Sequence, residues 1–248
     1  MKLIYLYHSG FALLGEGYTL IFDYFEDSVS ADKGIVHEQL LSREGRLYVF
    51  SSHAHADHFN RQILSWKALR PDIVYLLSTD IPLSDKDKEN GNLHTLAKGD
   101  TYRDEYLTVR AFGSTDIGIS FLVQTPEGAT VFHAGDLNNW HWSEESTPQE
   151  IRKAEGDFLA EVRELQQTAP AVDVAMFPVD SRIGKDYMRG AEQFVERIKI
   201  TIFVPMHFDE AFEKASAFAL LAASEGTQVL TPVRRGETLN LDHYINLK

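Results

Sequence analysis

The chain has 248 residues, 44% of them apolar, enough for a substantial core in one large domain or two small ones. Acidic residues outnumber basic ones, 37 to 24, and the net charge of -13 disfavours a long phosphate backbone as partner. Cysteine is absent, so disulfides, thiolate metal sites and thiol nucleophiles are excluded, and any metal must be held by nitrogen and oxygen donors.

The opening MKLIYLYHSG turns polar by its eighth residue and lacks the long apolar core of a secretory signal. No stretch approaches the roughly 20 apolar residues of a membrane span. A soluble, cytoplasmic protein is the expectation.

Short β-like runs come first, at Lys2 to Tyr7, Phe11 to Leu14 and Tyr18 to Tyr24, separated by Gly-containing turns in the manner of hairpins. A short helical pattern over Ile35, Val36, Leu40 and Leu41 precedes the apolar run Leu47, Tyr48, Val49, Phe50. A helix is predicted from Asn60 or Arg61 to Leu69, ended by Pro71, and then a strand from Ile73 to Leu77. The charged segment SDKDKENGN at 84–92 reads as a solvated turn, and β runs follow at Tyr102 to Phe112, Ile119 to Gln124 and Ala129 to His133.

Thr147-Pro148-Gln149-Glu150 is a capping-box pattern with proline at the first helical position, and Ile151, Ala154, Phe158, Val162 and Leu165 follow at helical spacing. Beyond that helix, strands alternate with helices: Val172 to Val179, a helix around Ala191 to Ile198, Ile200 to Pro205, a helix from Asp209 to Ser224 closed by Gly226, and Gln228 to Thr231. The pattern is α/β, read as a single domain over 1–248 with sheets flanked by helices.

In such architectures functional groups gather beyond the carboxyl ends of strands. Four candidate ends carry ligand-type residues: SSHAHADH at 51–58, HAGD at 133–136, PVDSR at 178–182 and PMHF at 205–208, together five histidines and three aspartates. In an extended segment His53 and His55 point to one side, while Asp57 and His58 can swing to an adjacent position, a geometry able to serve two neighbouring metal ions. A solvated loop or a helix cap with incidental histidines is the competing reading. Crowded imidazoles repel when protonated and gain little in a plain loop, so metal binding accounts better for the cluster.

The segment His53-Ala54-His55-Ala56-Asp57-His58 matches the HxHxDH signature of the metallo-β-lactamase fold hydrolases, and the chain resembles that family over nearly its whole length. Its opening, YLYHSGFALLGEGYTLIFDYF at 5–25, is similar to the subgroup that includes ascorbate-6-phosphate lactonase, and HAGD and PMHF fall in the order of that subgroup. The resemblance implies the four-layer αββα sandwich. It also implies divalent metal, two ions of zinc, manganese or iron, with His53, His55, Asp57 and His58 as ligands, Asp136 as the bridging carboxylate and His207 as the last ligand. Asp23 stands where the subgroup carries an aspartate that supports a metal-bound histidine through its other ring nitrogen.

One segment departs from the family. Where a further histidine ligand is usual, the loop reads Phe112-Gly113-Ser114-Thr115-Asp116-Ile117-Gly118. Asp116 is the only strong ligand type there and stands as the replacement, beside two alternatives, a lost ligand or a water. Added carboxylate favours manganese or iron over zinc.

By the resemblance, Asp57 serves beyond ligation as general acid and base, a role the sequence does not separate from plain ligation. In Asn139-Trp140-His141-Trp142, His141 is a candidate substrate contact and the tryptophans a pocket wall, against the alternative of tryptophans packing a loop onto the core. Arg182, with Lys185, is a candidate for holding an anionic group, against the reading of solvated partners for nearby acids. His133 is either a packed residue or a support for Asp136, and His8 reads as a turn residue.

These readings converge on hydrolysis of a small polar molecule, a lactone, ester or phosphate-bearing metabolite, by metal-activated water. A phosphodiesterase or nuclease of the same fold is the alternative that the charge argues against. A non-catalytic metal- or metabolite-binding protein with a degenerate site is a third reading. A diiron oxidoreductase ranks last, because such proteins generally bring a flavin domain.

Overall fold

The computed structural model describes residues 1–245. It divides into two compact units, Met1–Ala97 with Pro232–His243, and Lys98–Thr231 with the tail from Tyr244. Each is built on one seven-stranded mixed sheet.

In the first unit, β1 (Lys2–Tyr7), β2 (Gly10–Gly15) and β3 (Tyr18–Phe22) pair antiparallel, while β4 (Arg46–Ser51), β5 (Val74–Ser78) and β6 (Leu93–Leu96) extend the sheet in parallel from β3. Every residue of β3 and β5 is buried, and all but the first of β4, as continuous apolar runs in parallel strands require. One face carries the core of Leu6, Ile21, Val49 and Tyr75, covered by Val36 and Leu40 from a π-helical turn and by Ile63 and Trp66 from the 3-10 run Arg61–Ala68. The segment read as a solvated turn holds one helical turn, α1 (Asp85–Lys88), because Ser84 and Asp87 cap each other's backbone N–H groups.

In the second unit, β7 (Thr101–Arg103), β8 (Thr108–Phe112), β9 (Ser120–Gln124) and β10 (Thr130–His133) form an antiparallel meander. The single run expected over Tyr102 to Phe112 is two strands, since Asp104 Oδ1 accepts from the backbone N–H groups of Tyr106 and Leu107 and turns the chain. The helix α2 (Pro148–Thr168) opens on the expected capping box of Thr147 and Glu150 and buries Phe158, Val162 and Leu165. Parallel strands β11 (Ala171–Pro178), β12 (Lys199–Met206) and β13 (Gln228–Val229) complete the sheet beyond β10, with α3 (Arg189–Val195) between β11 and β12.

The core of this unit is aromatic. Phe177 stacks on Phe194 at 4.5 Å and meets Phe158 at 6.1 Å, and Phe203 meets Phe218 at 4.7 Å. Burying each such ring contributes about 1.5–3 kcal/mol. The helix expected over Asp209 to Ser224 is broken into α4 (Phe212–Ser216) and α5 (Ala219–Ala222) with a 3-10 turn after it; the backbone tightens where Phe218 is drawn onto Phe203. The chain then returns to the first unit, where β14 (Thr238–Asn240), which the sequence pattern does not announce, pairs with β1. Among the described residues, no helix is long and apolar enough to cross a membrane.

In each sheet the parallel strands bring their carboxyl ends to the same edge. Asp23 follows β3, the HAHADH loop follows β4 and Asp80 lies just beyond β5; in the second unit Asp136, Asp180 and His207 lie just beyond β10, β11 and β12. The loop after β10 lies against α3 so closely that a Cβ on Gly190 would fall 1.9 Å from Asn138 Oδ1 and 2.9 Å from Asn139 N. Gly190→Ala should therefore destabilise the protein by about 1–3 kcal/mol through overpacking, read as a lowered midpoint in urea with unchanged slope.

Candidate metal centre

The site in the first unit is organised by one carboxylate. Asp23 is fully buried with φ of +40°, a left-handed backbone that costs a non-glycine residue energy and that clusters at functional positions. Its Oδ1 accepts from Ser52 N–H at 2.7 Å, and its Oδ2 accepts from Ser52 Oγ at 2.6 Å and from His58 Nδ1 at 2.7 Å. An ionised carboxylate only accepts, so the His58 proton sits on Nδ1. Because Ser52 gives its one hydrogen to Asp23, its 2.9 Å contact with His53 Nδ1 must be donated by the histidine. One buried acid thus sets the tautomer of two rings, leaving each neutral imidazole with its lone pair on Nε2.

The loop carrying these rings is a tight turn in which His58 and Phe59 donate backbone N–H groups to His55 O, while Ala54 N–H donates to Asp80 Oδ2 at 2.8 Å. His53 Nε2 stands 3.0 Å from His55 Nδ1. His8, expected as a turn residue, is 1% exposed at φ of +57°, with Nε2 3.3 Å from Asp57 Oδ2. Hydrogen bonding with the His8 side chain outweighs the opposing effect of burial and holds the Asp57 carboxyl well below the usual carboxylate range. One ligand atom from each of His8, Asp57 and His58 lies within 4.8 Å of the others.

The second unit has its own cluster around a cavity of about 470 Å³. His133 is buried and its Nδ1 accepts from Gly135 N–H at 3.2 Å, bracing the turn that leads to Asp136. His207, at φ of +63°, stands with Nε2 3.3 Å from Asp136 Oδ1. Its Nδ1 faces Asp180 Oδ2 at 2.9 Å and Arg182 Nη2 at 3.1 Å. A guanidinium only donates and a carboxylate only accepts, so the Nδ1 proton goes to Asp180 and the Arg182 approach is a contact rather than a bond. Burial would raise the Asp180 carboxyl, but hydrogen bonds from His207 and Arg182 outweigh it and hold the group well below the usual range.

Asp116, the aspartate of the histidine-free loop, is exposed and lines this cavity, with a carboxylate oxygen within 4.8 Å of one from Asp136. Its loop is tied to the next through Thr115 Oγ1, which accepts from Asn138 N–H and donates to Asn138 O. Arg182 also lines the cavity, its guanidinium engaged by Asp180. His141 does not; it is buried beside a different hollow, with Nδ1 donating to Asn139 O at 2.6 Å. Lys185 lines that second hollow as well.

Three contributors escaped the sequence reading: Ser52, the relay between Asp23 and His53; Asp80, which ties down the HAHADH loop; and Asp180 as the partner of His207. Their one signal was position, each lying at or just past the carboxyl end of a strand. Neutral imidazoles aimed through Nε2, carboxylates and no thiolate form a donor set that fits a divalent ion of borderline or hard preference.

Ligand-type side chains beyond parallel strand ends define an α/β protein of the metal-binding kind. A family model described as "Beta-lactamase superfamily domain" matches residues 2–207, and the chain belongs to the metallo-β-lactamase superfamily. Its two mixed sheets with flanking helices are the expected fold class, that of the α/β metallo-β-lactamase sandwich. No curated protein matches the sequence. Among solved structures, the chain is similar to Igni18, a metallo hydrolase from Ignicoccus hospitalis, at 19% identity and TM-score 0.68, over 96% of this chain and 97% of that one. It is also similar to CmlA, a diiron β-hydroxylase from Streptomyces venezuelae, at 15% identity and TM-score 0.65, over 96% of this chain but 53% of CmlA. A possible metal-dependent hydrolase from Veillonella parvula aligns at 14% identity and TM-score 0.60, over 96% and 98%. At these identities the likeness is one of fold.

Two outcomes follow from the carboxylates. In metal-stripped protein, nitrogen NMR should show His58 as the Nδ1–H tautomer, and Asp23→Asn should shift it toward Nε2–H and lower stability by about 1–3 kcal/mol. Because Asp180 titrates below its ordinary value of about 3.9, its contribution to stability is complete above that value and is lost as pH falls through the lower folded value. The acid limb of a stability–pH curve, from denaturant melts, should accordingly be shallower in Asp180→Asn.

Proposed function

We propose that the protein is a metal-dependent hydrolase acting with metal-activated water on a small polar substrate, a lactone, ester or phosphate-bearing metabolite. The proposed ligands are His53, His55, Asp57 and His58 in the first unit and Asp116, Asp136 and His207 in the second, for two divalent ions of zinc, manganese or iron. The observation that carries this reading is the commitment of Nδ1 protons: Asp23 takes that of His58, Ser52 that of His53 and Asp180 that of His207, so three rings present Nε2 as a donor atom. Resemblance to the ascorbate-6-phosphate lactonase subgroup over residues 5–25 supports the lactone or ester within that range.

A bound divalent ion supplies a water acidified to a pKa of about 7 and a Lewis acid for the substrate oxygen. The chain's own part lies with Asp57. Held ionised beside His8, it can take a proton from the attacking water and return it to the leaving group. A second reading, a diiron oxygenase, gains support from the carboxylate Asp116 in place of a histidine and from the likeness in fold to CmlA, a diiron β-hydroxylase.

Elemental analysis after gentle purification should give two divalent ions per chain, and chelation should abolish lactone or ester hydrolysis, restored by zinc or manganese. Asp57→Asn, assayed at saturating metal, should lower kcat about 10²–10⁴-fold, and Asp23→Asn should weaken metal binding about 10–100-fold in competition with a chromophoric chelator. Less than one ion per chain would overturn the reading in favour of a non-catalytic protein, and iron-dependent oxygen consumption without hydrolysis would favour the oxygenase.

A further inference from the structure

The cavity beside Asp136 and His207 leaves few polar groups uncommitted. Thr115 Oγ1 bridges the backbone N–H and O of Asn138, and Asp180 takes the Nδ1–H of His207. Arg182, the cation expected to hold an anionic group, gives Nε and Nη2 to Asp180 and brings Nη1 within 3.4 Å of Asp209. With Asp116 and Asp136 assigned to the ions, Asp180 and Asp209 remain, two carboxylates against the one guanidinium. An anion entering here must compete with carboxylates that already occupy that guanidinium.

What the cavity does offer is aromatic surface. Trp140 is fixed by its Nε1–H, which donates to Asp136 O at 2.8 Å, and its ring packs 5.3 Å from His207. Trp142 stacks on Trp140 at 5.8 Å with 23° between planes, and both indoles line the cavity with Ile183. Trp142 is 43% exposed and sits at φ of +33°, a conformation a bulky residue rarely adopts. An indole held so, while still open to the cavity, is arranged for contact with a further flat group.

We infer that the substrate carries an uncharged aromatic or heteroaromatic ring next to the reacting bond, seated on the Trp140–Trp142 platform. This deepens the hydrolase reading and rests on it: within the range of lactone, ester and phosphate-bearing metabolite, it selects neutral aryl lactones and esters. Specificity then comes from stacking and desolvation rather than from an arginine clamp.

The test uses the whole chain labelled with nitrogen-15 in its 3 tryptophans. Trp66, 3% exposed in the core of the first unit, is the internal reference. The probe is 3,4-dihydroquinolin-2-one, a neutral aryl lactam that hydrolases of this kind should not turn over, compared with δ-valerolactam and with phenyl phosphate. The aryl lactam should shift the Trp140 and Trp142 indole signals, leave Trp66 unmoved and bind about 3–10-fold tighter than δ-valerolactam, an advantage that the surface variant Trp142→Ala loses. Equal binding of both lactams, or tighter binding of phenyl phosphate, would overturn the inference. Turnover of dihydrocoumarin by metal-loaded protein reports separately on the hydrolase reading. Tryptophan shifts without turnover of any ester or lactone would overturn hydrolysis and keep the platform, whereas equal kcat/KM on aryl and alkyl lactones would keep hydrolysis and overturn the platform.

Discussion

The buried carboxylate of Asp23 is the constraint on which the chemistry of the first unit depends. Because Asp23 is fully buried, its charge must be met by donors, and Ser52 N–H, Ser52 Oγ and His58 Nδ1 meet it. Satisfying that acid fixes the start of the loop after β4, the tautomer of His58 and, through Ser52, the tautomer of His53. In the second unit Asp180 stands in the same relation to His207, also just past the end of a parallel strand. A shared solution at separate strand ends marks the arrangement as a consequence of parallel pairing: neighbouring strands finish level, and the residues after them meet.

That geometry also explains what the sequence disclosed and what it did not. The HAHADH cluster is local in sequence and was legible as ligand chemistry, and the capping box of α2 was legible because its partners are three residues apart. Asp180 and His207 are 27 positions apart and meet only because Pro178 lies opposite Met206 in the parallel ladder. Residue types alone put the weight at this strand end on Arg182, whereas its register hands that arginine to Asp180. The relay through Ser52 was hidden because serine at a strand end reads as a cap or turn residue.

Misread elements follow the same division between local and distant causes. The helix expected over 209–224 shows apolar spacing, but Phe218 answers to Phe203 on β12 and the helix breaks there. Asp104 splits a run that alternation presents as one strand, and Ser84 with Asp87 makes a helical turn from a segment that composition presents as a loop. In the last two cases a short polar side chain bonded to nearby backbone, which apolar periodicity does not register.

Each sheet is antiparallel on one side and parallel on the other, and most of the candidate chemistry lies past the ends of the parallel strands, with Asp116 and His8 added from the antiparallel connections β8–β9 and β1–β2. The hairpin turns at Gly15-Glu16-Gly17 and Pro126-Glu127-Gly128 lie in the antiparallel parts, away from those ends in the ladder. Such turns are where a chain tolerates inserted sequence. The fold therefore separates a region free to vary in length, and so to acquire tags, tethers or new surfaces, from a region where one added residue would move a candidate ligand off its neighbour.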